Sequence, residues 1–184
     1  MASVKIWNIN QRMGKRINYI CQDCKTENGK FIDGLNCPND PAACISQMKA
    51  TKRQYHKDYG VLLYHAVQSF KPGEVTPEQA HKISLEYAQR VWGDRFEVIV
   101  ATHTDQAHCH SQLIFNSVSC LYGKKYHDGG KKNLDYLRNV SNEIGAGYGL
   151  SRITDPKPSQ NKSYNMQQME KEGKKPIRAF IRVD

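Results

Sequence analysis

The sequence has no apolar run near the ~20 residues needed to span a bilayer, which argues against an integral membrane protein. Residues 2–9 are too short and too polar for a signal peptide. Cysteine is sparse, six in 184 residues, which excludes a small disulfide-built secreted scaffold. No internal repeat is visible, so a solenoid is excluded. Together these absences make a cytoplasmic protein the expectation. Acid is also in short supply, with 18 Asp and Glu against 27 Lys and Arg, for a net charge of +9. A deficit of that size points to a polyanionic partner, nucleic acid first.

Basic residues are also missing from one place. Residues 101–122 contain no Lys or Arg, although residues 121–138 hold Lys124, Lys125, Lys131, Lys132 and Arg138 against two acids. Residues 1–60 carry ten basic side chains against five acids, and residues 151–184 carry eight against four. The positive charge therefore flanks a neutral segment, and that segment holds three of the seven histidines: Thr102-His103-Thr104-Asp105-Gln106-Ala107-His108-Cys109-His110.

Residues two apart on a strand share a face. His108 and His110 are expected to project side by side from the start of a strand that continues through Leu113, Ile114 and Phe115. His103 ends the apolar run 96–101, and the short polar link 104–107 turns the chain into an antiparallel hairpin. Three imidazoles meeting there describe a divalent metal site with open coordination positions. Neutral imidazoles suit Zn²⁺, so the pattern leaves the ion open.

The rest of the chain gives strand, helix, helix, strand, helix, strand, strand, helix. Strands are expected over residues 2–9, 61–70 and 96–101, with a short one over 122–126. Helices are expected over residues 11–23, from Asp40 to Gly60, and from Thr76, where Gln79 closes a capping box, to Gly93. A last helix begins at Asn133. Residues 25–37 read as an irregular excursion or a short hairpin, and residues 178–183 as a further edge strand or a segment disordered in solution. This is an α+β fold with a central, mainly antiparallel sheet flanked by helices. Residues 1–150 form the main domain and 151–184 a basic C-terminal extension. Cys21, Cys24, Cys37 and Cys44 have zinc-like spacing, but their surroundings favour free thiols. Tyr19 lies among Arg12, Lys15 and Arg16. Cations near phosphate favour a phenolate nucleophile, yet the residue pattern does not choose Tyr19 from ten tyrosines.

Three blocks carry a resemblance: Arg16-Ile17-Asn18-Tyr19-Ile20; Tyr64-His65-Ala66-Val67-Gln68-Ser69-Phe70 with Pro72-Gly73-Glu74; and His103 to His110 with Phe115-Asn116-Ser117-Val118. From about residue 3 to about residue 150 the chain resembles the relaxase, or mobilisation endonuclease, domain of conjugative plasmids and transposons. This is a branch of the HUH-endonuclease superfamily, and the MOBP class looks closest. The resemblance implies a palm-like fold and nicking of single-stranded DNA at a transfer origin. Tyr19 would attack the phosphodiester to leave a 5′-phosphotyrosyl link and a free 3′-OH. His103, His108 and His110 would hold Mn²⁺ or Mg²⁺, with Glu74 or Asp105 orienting a ligand histidine. Arg12, Lys15, Arg16, Lys124, Lys125, Lys131 and Lys132 would contact DNA, including a hairpin duplex beside the origin. Accessory mobilisation proteins and a coupling protein would be partners. The alternatives are a rolling-circle replication initiator, a histidine-metal hydrolase using water, and a non-catalytic DNA-binding module.

Overall fold

The structure, a computed structural model, describes residues 2–106 and 108–151. Five strands form one sheet: β1 (Ala2–Ile9), β2 (Ile32–Leu35), β3 (Leu63–Phe70), β4 (Val98–His103) and β5 (His110–Asn116). Their order is β1-β3-β5-β4-β2, and every neighbouring pair is antiparallel. The α+β class expected from the sequence is the class observed.

Alternation along the strands divides the helices between two faces. Val98 and Val100 of β4 and Leu113 and Phe115 of β5 pack with α3 (Pro77–Val91) and α4 (Lys131–Gly147). Ile99, Ala101 and Ile114 face the other way, against Met13, Ile17 and Ile20 of α1 (Met13–Ile20) and Cys44 and Met48 of α2 (Pro41–Gln54). A buried carboxylate fixes α2 to its face. Glu97 accepts from Thr51 Oγ1 at 2.7 Å and Asn116 Nδ2 at 2.6 Å.

The capping box at Thr76 and Gln79 is present, and Asp40 caps α2. Four expectations need correction. Residues 32–35 are a strand paired with the outer edge of β4, rather than irregular or half of a local hairpin, because β4 supplies the pairing that Asp33-Gly34 cannot signal locally. The second helix stops at Gln54, well before Gly60. His56 adopts φ 51°, and the amides of His56 and Lys57 close a Schellman pair onto Arg53 and Lys52. Residues 122–126 contribute one isolated bridge, Val118 with Lys125, rather than a strand. The last helix is preceded by Gly130, and Asn133 lies within it, its amide on Asp128 Oδ1. The strand expected over residues 178–183 lies outside the described residues. Among those described, no helix is long and apolar enough to cross a membrane.

Candidate active site

The strand register brings the histidine motif onto the face shared with α1. Ser3 of β1 opposes Ser69 of β3, Ser69 opposes His110 of β5, and His110 opposes His103 of β4. One row of the sheet thus ends in two imidazoles, with ring centroids 5.0 Å apart. Asp105, from the connection between β4 and β5, completes a cluster with them. One donor atom from each of His103, Asp105 and His110 lies within 4.8 Å of the others.

The strand begins at His110, so His108 lies in the connection rather than beside His110 on the strand face. Its ring still stands 5.5 Å from that of His110. The expected histidine triad therefore appears as two opposed strand histidines with an acid beside them and His108 at the margin. Asp105, expected to act behind a ligand, stands among the donors.

Two ring nitrogens suit a cation. His103 Nε2 donates to the Ile20 carbonyl at 2.8 Å, so this nitrogen carries the proton and Nδ1 keeps its lone pair. His110 Nδ1 is buried and has no hydrogen-bond partner among the described residues. Burial, above all, holds both imidazoles below the usual histidine range. Both are thus kept in the neutral form that ligates. A carboxylate beside two imidazoles is a donor set for a divalent first-row metal.

The same hydrogen bond ties the nucleophile candidate to this cluster. Ile17 and Ile20 are fully buried and anchor α1, and one residue before Ile20 the Tyr19 side chain is 53% exposed. Lys25 Nζ stands over the Tyr19 ring, 3.3 Å from its centroid. The Lys25 carbonyl accepts from Thr104 N, next to His103, at 3.0 Å. Lys25 thus joins the tyrosine to the histidine hairpin. Sequence reasoning did not single it out, since nothing local relates residue 25 to residue 104. Arg12, Lys15, Arg16 and Tyr19 line one open concavity of about 840 Å³.

The other expected residues lie elsewhere. The Glu74 carboxylate, in the turn after β3, accepts from Ser151 N at 2.9 Å and Ser151 Oγ at 2.6 Å, and the donor cluster does not include it. Lys131 and Lys132 open α4, on the face opposite the histidines. Lys125 stands over the ring of Tyr59 and donates to its carbonyl. Cys37 and Cys44 have their sulfurs 3.5 Å apart, and all six cysteines are free. No cysteine cluster with metal-holding geometry occurs among the described residues.

His65 shares the histidine face, with Nε2 on Gln112 Oε1 at 2.6 Å. Burial, assisted by the charges of Arg16 and His103, pushes its pKa down to about 4. In the unfolded chain it titrates near 6.5. Between those values the unfolded state binds more protons, so stability falls as pH drops through that window. His65→Gln is expected to remove about 2–3 kcal/mol of the loss between pH 6.5 and 4. Urea denaturation at pH 7, 5.5 and 4 checks this, and equal slopes in both proteins would refute it.

The chain matches the model of the MobA/VirD2-like relaxase nuclease domain over residues 19–150. It is 37% identical over 151 residues to protein rlx of Staphylococcus aureus, covering 82% of this chain and 45% of that protein. It is 33% identical over 113 residues to the group II intron-interrupted relaxase LtrB of Lactococcus lactis subsp. cremoris, covering 53% of this chain and 20% of that one. The chain thus spans less than half the length of these relatives. Among solved structures, the manganese-bound MobM relaxase domain (MOBV) in complex with plasmid pMV158 oriT DNA shares the fold. The TM-score is 0.65 at 10% identity, over 92% of this chain and 98% of that one.

Proposed function

The chain belongs to the MobA/VirD2-like relaxase nuclease family, and on that premise we propose that it nicks one strand of DNA at a transfer origin and holds the cut end covalently. The Tyr19 phenol oxygen attacks the scissile phosphorus. The bond from phosphorus to the 3′ oxygen breaks, leaving a 5′-phosphotyrosyl link; the phenol proton passes to solvent, and the leaving 3′ oxygen takes a proton from solvent to become the free 3′-OH. Attack by a 3′-OH on that link reverses the step and accounts for strand transfer.

The observation that carries this reading is the hydrogen bond from His103 Nε2 to the carbonyl of Ile20. It holds the residue after the tyrosine against an imidazole whose other nitrogen is free to ligate. His103, Asp105 and His110 would hold a divalent cation, with His108 at its margin. When bound, such an ion polarises the phosphate and offsets the charge that develops on its oxygens. MobM was solved with manganese, and the mixed nitrogen and oxygen donors here suit Mn²⁺ or Mg²⁺, with Zn²⁺ a third candidate. Lys25 places a cation beside the attacking phenol, where it attracts the phosphate and steadies the ring. Lys25→Met is expected to lower nicking about tenfold to a hundredfold, with partial recovery in Lys25→Arg. Single-turnover rates on a cognate oligonucleotide check this.

Residues 1–150 would be the nuclease domain and residues 151–184 a basic extension. The class would be MOBP, the setting the bacterial cytoplasm, and the partners origin DNA with its adjacent hairpin, accessory mobilisation proteins and a coupling protein. The test is incubation with single-stranded DNA carrying candidate transfer origins, with Mn²⁺ or with chelator, followed by denaturing electrophoresis and peptide mapping. A metal-dependent adduct on Tyr19 is expected. Nicking without an adduct would indicate water as the nucleophile and a hydrolase. DNA affinity is expected to fall steeply with salt, because the contacts are to phosphates.

A further inference from the structure

The chain has two tryptophans, and they sit in opposite environments. Trp92 is 1% exposed and stacks in the core on Phe115. Trp7 is 42% exposed, on β1, an outer strand of the sheet. An indole left in water forgoes a large apolar stabilisation, so its surroundings are informative.

Three features of those surroundings agree. The ring is braced on one side by His65, with centroids 4.4 Å apart and planes at 46°, and His65 is itself fixed by Gln112. The indole is thus a held surface, not a loose side chain. The face is also open at this point, since β1 and α1 leave a concavity of about 840 Å³ between Trp7 and the α1 side chains Lys15, Arg16 and Tyr19. Finally, Trp7 shares the concavity that Tyr19 lines. Its other walls include Lys15 and Arg16 and the amides of Asn10 and Gln22, and no carboxylate lines it. Cations suit a phosphate backbone, amides suit base edges, and a braced aromatic suits a base face. An apolar peptide would leave these cations and amides without partners.

The strand register sets the distance. Trp7 opposes His65, while the metal-candidate row runs Ser3, Ser69, His110. Four residues along a strand is roughly 13 Å, and the two strand spacings from β1 to β5 add roughly 10 Å across it, about 16 Å in all, a span of a few nucleotides.

We propose that Trp7 is a stacking platform for one base of the bound single strand, a few nucleotides from the bond that Tyr19 attacks. The inference rests on the nuclease reading, and it adds a residue that fixes the register of the DNA. A base clamped at this distance sets which phosphate reaches Tyr19, so Trp7 acts in positioning and site selection rather than in bond breaking.

The test is a binding titration of the full chain with cognate single-stranded DNA at fixed salt, using oligonucleotides that each carry one abasic position. Trp7 emission is expected to be quenched by DNA, with buried Trp92 as a constant background. One abasic position is expected to weaken binding to the parent about tenfold. The same position is expected to change binding to Trp7→Ala less than twofold, with intermediate sensitivity in Trp7→Phe. If both variants keep the parent's affinity and its full abasic profile, the platform is overturned while metal-dependent adduct formation leaves the nuclease reading intact. If the parent binds no single-stranded DNA, both fail. Quenching by an aromatic peptide but not by DNA would replace the base with a protein partner and overturn the proposal.

Discussion

Tyr19→Phe is expected to abolish the covalent protein–DNA adduct and to lower nicking by about four orders of magnitude or more, the scale seen when a nucleophile is deleted. The substitution removes one oxygen and leaves everything else in place. The anchors of α1 are Met13, Ile17 and Ile20, on the face away from Tyr19, so the helix does not depend on the phenol. The cation over the ring needs the aromatic face, which Phe retains. The Ile20 carbonyl that accepts from His103 belongs to the backbone. The loss is therefore expected in the chemical step, with folding and DNA affinity near those of the parent. Denaturing electrophoresis after incubation with origin DNA measures the adduct, and thermal melting checks the fold. Full nicking by Tyr19→Phe would exclude Tyr19. Tyr59 is exposed and would be the next tyrosine to test, while the Tyr55 hydroxyl is already engaged by the Cys120 carbonyl.

His110→Ala is expected to remove metal binding and to lower nicking at least about a thousandfold, since the bound ion supplies several kcal/mol of charge stabilisation. His110 is the sharper choice than His103. Its Nδ1 is buried with no partner among the described residues, so its removal breaks no hydrogen bond made by that atom. His103→Ala would also free the Ile20 carbonyl and disturb the approach of Tyr19. Asp105→Asn is expected to weaken the metal less, because Asp105 is exposed and the asparagine amide retains an oxygen donor. His108→Ala should fall between parent and His110→Ala, as its ring lies at the margin of the cluster. Calorimetric titration with Mn²⁺ ranks the variants. Equal metal affinity in His110→Ala and parent would reject the cluster. DNA affinity should survive in all of them, since phosphate contacts by basic residues dominate it.

Some of this site was legible before any coordinates. Periodicity placed β1, β3, β4 and β5, and the Thr76 capping box marked the start of α3, because these signals are carried by neighbours in sequence. The hairpin between residues 103 and 110 was equally local: two apolar strands, a short polar link and a histidine at each end. The donor types of the candidate metal cluster were legible too, because His103, Asp105 and His110 lie within eight positions of one another.

Tertiary structure decided the rest. Pairing His103 directly with His110 is a matter of register, and a shift of two residues would have put His108 on the strand instead. β2 exists because β4 has a free edge, which no property of Ile32 to Leu35 announces. Lys25 stands over the ring of Tyr19 and reaches the histidine hairpin through one backbone bond to Thr104, far along the chain. The basic residues that look continuous along the chain divide between faces, with Arg12, Lys15 and Arg16 beside Tyr19 and Lys131 and Lys132 on the far layer. The sequence by itself determined most of the elements and the donor types, because both follow from short-range sterics, burial and side-chain chemistry. Which donors meet, which cation stands by the phenol and which aromatic stays open were left to sheet register and helix docking, because those distances are set by packing between residues far apart in the chain.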